Sequence, residues 1–123
     1  MLIYAIQDEY LARAEYEYLI NELDARTPFT NIVKAEETHI ALLIPLFEKY
    51  DFEAIEDTSS EYLIPATSIT EALETGVLAE VSNIAMYELF LKTDLPDDVR
   101  AVFIELRDGS VNHLAAFERK LSR

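Results

Sequence analysis

Apolar residues recur every three to four positions along four segments of the chain, which is the repeat of an amphipathic helix. The first stripe runs Leu2, Ala5, Ile6, Ala12, Tyr16, Leu19 and Leu23. The second, beginning near Phe29, runs Ile32, Val33, Ile40, Leu43, Leu46, Phe47 and Tyr50. The third runs Ile69, Leu73, Val77, Ile84, Tyr87, Phe90 and Leu91, and the fourth Val99, Val102, Phe103, Leu106, Ala116, Phe117 and Leu121. These stripes predict helices over 2–24, 28–51, 69–92 and 95–121. Each is interrupted near its middle by polar residues: Glu9 in the first, Glu36 and His39 in the second, Glu80 in the third, and Gly109, Ser110 and His113 in the fourth.

Local chemistry sets the boundaries. Thr27-Pro28 suits a helix cap followed by a first-turn proline. Ser68-Ile69-Thr70-Glu71 has the form of a capping box. Asp94-Leu95-Pro96-Asp97 combines a cap, a proline and acids at the positive end of the helix dipole. Pro45 lies within the second stripe and predicts a kink or an earlier end. Short links between the first and second helices, and between the third and fourth, make each pair an antiparallel hairpin. The longer segment from Phe52 to Thr67 is then a crossover. The expected fold is all-α: a single antiparallel four-helix-bundle domain over residues 1–123.

An antiparallel hairpin brings residues equidistant from its turn to one level. Glu80 and the Ser110–His113 turn have their midpoint near residue 96, at the expected link. Glu9 and the Glu36–His39 turn have theirs near residue 23, about one helical turn before the expected link. The hairpins also resemble each other. Tyr16 follows Glu9 by seven residues and Tyr87 follows Glu80 by seven, so each tyrosine shares a face with its glutamate. This is the pattern of a decayed internal duplication. A carboxylate and an imidazole at i and i+3 converge in front of their helix. With glutamates from neighbouring helices they would form an oxygen and nitrogen cage suited to Fe, Mn or Zn. A metal-free core of hydrogen-bonded polar residues, with Arg13 as a partner for Glu9, is the plainer alternative.

Four segments in order resemble the ferritin-like superfamily on its rubrerythrin-like side, and a branch of small prokaryotic domains of unknown function. They are "DEYLARAEYEY", "FTNIVKAEETHI", "GVLAEVSNIAMYE" and "GSVNHLAAF". The resemblance implies a ferritin-like bundle of two hairpins joined by a crossover. It also implies a carboxylate metal centre with Glu9, Glu36, His39, Glu80 and His113 as ligands. Glu36 would bridge, Glu9 and Glu80 would bind terminally, and the histidines would cap. Iron is the expected cofactor, with Mn or Zn as alternatives and one or two ions bound. The implied chemistry is oxidoreduction on O₂ or peroxide.

The chain departs from the superfamily pattern at two positions. Ser110 stands where the second Glu-x-x-His would carry its carboxylate, and Asn83 where rubrerythrins carry a further ligand. Water could fill the vacancy, or one ion could bind alone near Glu9, Glu36 and His39. Tyr16 and Tyr87 are expected to support the ligands through their hydroxyls. Gly109 and Ser110 would permit close packing, or leave room for a small molecule. Glu37 falls on another face and reads as a solvated acid.

Composition narrows the partners. The absence of cysteine excludes disulfides, thiolate metal sites and a rubredoxin-type iron centre. Any electron donor must then be a separate protein. A net charge of −14 argues against nucleic acid, because phosphate binding needs clustered Lys and Arg. No apolar run reaches membrane-span length, and "MLIYAIQDEY" has no signal-peptide pattern, so the expected location is the cytoplasm. Leu2, Ile3 and Tyr4 point to self-association into a homo-oligomer. The rival function is a non-enzymatic binding or assembly module with a structural or empty site. Iron sequestration in a multimer ranks below both, because a short single domain does not indicate a storage shell.

Overall fold

The computed structural model describes residues 1–53, 55–63 and 65–122. Among them are four α-helices, α1 (Leu2–Leu23), α2 (Phe29–Lys49), α3 (Ile69–Leu91) and α4 (Asp97–Leu121), one short 3-10 helix at Ser59–Glu61, and no strand. The chain divides into two compact units, Met1–Pro65 and Ala66–Arg123. The first pairs α1 with α2 and lays the 3-10 turn against α1, and the second pairs α3 with α4.

Each helix end has a physical cause. The α1 helix stops where Asp24 turns left-handed, at φ 51°, and the Ala25 N–H reaches back to the Leu19 carbonyl at 3.1 Å. This closure favours glycine, but Asp tolerates it better than most residues. The same device ends α2: Asp51 has φ 60° and the Phe52 N–H donates to Phe47 at 2.8 Å. The second helix therefore ends at Lys49 rather than at 51. At α3 the Ser68 hydroxyl accepts from the Glu71 N–H at 3.1 Å. Only that half of the capping box is made, because the Glu71 carboxylate accepts from the Thr67 hydroxyl at 2.6 Å.

Three expectations are corrected here. Pro28, not Thr27, occupies the cap of α2, and no side chain caps that end; the Thr27-Pro28 bond is cis. Pro96 is extended (ψ 148°), so α4 begins at Asp97 and not at 95. Asp97 and Asp98 still supply the first-turn acids. Pro45 does not end α2 early. It and Ala41 both lie on the exposed side, so the carbonyl that loses its N–H partner can be solvated.

The cores follow the stripes. In the first unit Ala5, Ile6, Tyr16, Leu19, Phe29, Ile32, Leu43 and Phe47 are buried; in the second, Leu73, Tyr87, Phe90, Phe103, Leu106 and Phe117. The stripes overreach at their ends: Ile69 and Leu121 are exposed. Arg100 fastens the second hairpin. It reaches from the first turn of α4 to the Leu91 carbonyl at 2.8 Å and the Thr93 carbonyl at 2.7 Å. A cation there satisfies carbonyls that a helix end leaves without an intrahelical donor, and favours the negative end of the dipole.

The two hairpins share an internal geometry. Tyr16 and Phe29 have ring centroids 5.8 Å apart at 43°, and Tyr87 and Phe103 have theirs 5.9 Å apart at 41°. His39 follows Phe29 by ten residues, and His113 follows Phe103 by ten. Counting seven from each phenylalanine gives Glu36 in the first hairpin and Ser110 in the second. The duplicated pattern is thus repeated in packing as well as in spacing.

Candidate metal-binding site

The polar interruptions are buried. Glu9 and Glu36 retain 2 % of their accessible surface, Glu80 1 %, His113 5 % and His39 7 %. Helical spacing dictates this. Each lies on the stripe that carries the apolar core of its hairpin, so burying the stripe buries the acid with it. Ionised groups removed from water cost several kcal/mol each unless partners or a cation offset the loss.

In the first unit three of these side chains meet. His39 Nδ1 lies 3.4 Å from Glu9 Oε2 and 3.8 Å from Glu36 Oε2. One ligand atom from each of Glu9, Glu36 and His39 falls within 4.8 Å of the others. An ion bound at about 2.0–2.2 Å needs donors up to roughly 4.4 Å apart. A contraction of a few tenths of an ångström would therefore seat one. The donor set is two carboxylates and an imidazole. It carries two negative charges when the ring is neutral, matching a divalent cation of the Fe, Mn or Zn type.

In the second unit His113 Nδ1 lies 3.4 Å from Glu80 Oε1. The spacing repeats that of His39 and Glu9. Ser110 is buried one turn before His113, at the position matching Glu36. Tyr16 and Tyr87 are buried on the faces of Glu9 and Glu80. Asn83 and Gly109 are half-buried, and Glu37 is exposed.

Arg13 does not serve the acids of the core. It pairs with Asp57 of the crossover at 3.0 Å and stacks over the Tyr10 ring at 5.6 Å. Asp57 also accepts from the Ser59 hydroxyl and from the Ser59 N–H, the latter at 3.0 Å. Burial alone would raise the Asp57 pKa, but the Ser59 hydrogen bonds and then Arg13 outweigh it, so the carboxyl is held below its ordinary value. Tyr10 donates to the Ile55 carbonyl at 3.2 Å. Burial, and then the Asp57 charge, push its phenol above the usual range. The crossover thereby docks on α1 and encloses a cavity of about 250 Å³ between Gln7, Tyr10 and Leu11 on one side and Glu56, Ser59 and Tyr62 on the other. None of the Glu and His ligand candidates lines it. Hydrophobic periodicity gives no sign of this cluster, because the crossover has no repeat. The only sequence signal for it was the Asp-x-Ser spacing of a local turn.

Comparison with known proteins places the chain. Over residues 1–123 it belongs to the family described as Uncharacterized protein domain (DUF2202). It is similar to the uncharacterized protein MJ0754 of Methanocaldococcus jannaschii, with 29 % identity over 136 residues, spanning 98 % of this chain and 73 % of the relative. The crystal structure of hypothetical protein MJ0754 from Methanococcus jannaschii superposes with a TM-score of 0.85 at 28 % identity. The match covers 98 % of this chain and 77 % of that one.

Proposed function

We propose that this DUF2202 chain is a ferritin-like metal-carboxylate protein: a single four-helix bundle that binds iron and reacts with O₂ or peroxide. The observation that carries the reading is the buried trio Glu9, Glu36 and His39, with ligand atoms within 4.8 Å of one another. The reading joins it with Glu80 and His113 into one centre, with Glu36 shared between two ions and Glu9, Glu80 and the histidines terminal. Buried carboxylates and imidazoles from four helices are the donor set of such centres.

Bound ferrous ions would supply the electrons for reducing the oxidant. The residues of the chain would hold those ions, exclude bulk water, and offset positive charge in a site of low polarity. Tyr16 and Tyr87 would fix the orientation of the carboxylates beside them. With no cysteine in the chain, electrons would return from a separate donor protein. Self-association through exposed apolar residues such as Ile3 and Tyr4 would complete the assembly.

A second reading has one observation in its favour. Ser110 replaces the carboxylate that matches Glu36, so the centre could be a structural remnant in a non-enzymatic binding module. Stopped-flow mixing of ferrous-loaded protein with peroxide separates the two. Rapid peroxide consumption by the wild type, abolished in Glu36→Gln, supports the redox reading. Metal bound without any peroxide consumption supports the remnant.

A further inference from the structure

The two hairpins match in ring packing, in histidine-to-glutamate distance and in spacing, and they differ at one chemically decisive position. Seven residues after the buried phenylalanine the first hairpin has Glu36 and the second has Ser110. Both positions are buried, at 2 % and 3 % exposure. The consequence is an imbalance of charge. With neutral imidazoles, Glu9 and Glu36 cancel a divalent ion beside His39. Glu80 alone leaves one positive charge beside His113. In a buried site that residue of charge is costly unless an anion enters with the ion.

Resting on the metal reading above, we propose that the Glu80–His113 half-site takes an exogenous small carboxylate, of formate size, as the missing ligand. Serine lacks three heavy atoms that glutamate has, namely the carboxyl carbon and one oxygen beyond the atom that Oγ replaces, together with the second oxygen. Formate is a carbon with two oxygens. It restores both the charge and the donor atoms that Glu36 provides on the matching face. The Ser110 hydroxyl, at the mouth of the same turn as His113, is a donor for the second carboxylate oxygen. The two half-sites therefore load unequally. The Glu9, Glu36 and His39 site binds an ion alone, and the second site binds its ion together with the anion.

The test is titration of the full chain with Co²⁺ by calorimetry and visible absorption, in sodium formate and in sodium chloride of equal ionic strength. One ion is expected to bind tightly in both salts. Formate is expected to tighten a second, weaker ion by tenfold or more and to change its absorption bands. Ser110→Glu is expected to bind the second ion tightly in chloride, with the formate dependence gone. A second ion whose affinity is the same in both salts overturns the inference, as does an equal formate effect in Ser110→Glu. Failure of the first ion to bind in either protein contradicts the metal reading itself, and so is distinguishable from failure of this one.

Discussion

His39 Nδ1 lies 3.4 Å from Glu9 Oε2, across the interface of α1 and α2, and both groups are buried. Glu36 adds a second carboxylate oxygen 3.8 Å from the same nitrogen. Two acids and one ring are thus held where an apolar core would be more stable without metal. That conflict between stability and chemistry is the signature of a functional site, and it yields a test.

Glu36→Gln should move stability and metal affinity in opposite directions. Removing one buried carboxylate relieves desolvation and its repulsion with Glu9, so the metal-free variant is expected to gain roughly 1 kcal/mol in urea unfolding. Its affinity for Fe²⁺ or Mn²⁺ should fall by about a hundredfold or more, exceeding the effect of losing a supporting group. A variant that is less stable without metal and unchanged in affinity would contradict the assignment.

Gly76 faces the ring of Phe117 across α3 and α4. A methyl group there would sit 2.8 Å from the ring carbon Cε2 and 3.1 Å from Cδ2. Phe117 is fully buried and has little room to retreat. In an open helix Gly→Ala would stabilise by about 1 kcal/mol. Here overpacking costs about 1–3 kcal/mol, so Gly76→Ala is expected to destabilise by roughly 1 kcal/mol net. Denaturant midpoints at unchanged m-value measure it.

Asp57 ties the crossover to α1 and should impose an acid dependence on that docking. Its folded pKa is depressed, so its contribution is fully present above the unfolded value of about 3.9 and is lost as pH falls through the lower folded value. Asp57→Asn is expected to cost on the order of 1 kcal/mol at neutral pH, since the Arg13 pair is 33 % exposed on the Asp57 side and screened by solvent. The difference from wild type should shrink below about pH 4. Unfolding curves at a series of pH values would show it.

Most of the helical structure was legible because its cause is local. Leu73, Tyr87 and Phe90 repeat at helical spacing, and Ser68 carries a cap that its own segment can use. The candidate trio was legible for the same reason, since Glu36 and His39 interrupt an otherwise apolar stripe. What escaped depends on contacts between distant segments. Arg100 closing the end of α3, and Arg13 turning to Asp57 instead of Glu9, are choices among several acceptors that spacing cannot rank. Thr27 misled because the helix start shifted by one residue, which moved its hydroxyl off the cap. Ile69 and Leu121 misled because a stripe continues to the last turn of a helix, while its neighbour covers less of it.

The central claim is that Glu9, Glu36 and His39 hold a metal ion. The most direct measurement is anomalous diffraction from crystals grown with Mn²⁺ or, under anaerobic conditions, Fe²⁺. The account predicts a peak within about 2.0–2.3 Å of His39 Nδ1 and of an oxygen from each of Glu9 and Glu36. Metal-soaked crystals with those three side chains clearly ordered and no peak between them would contradict it.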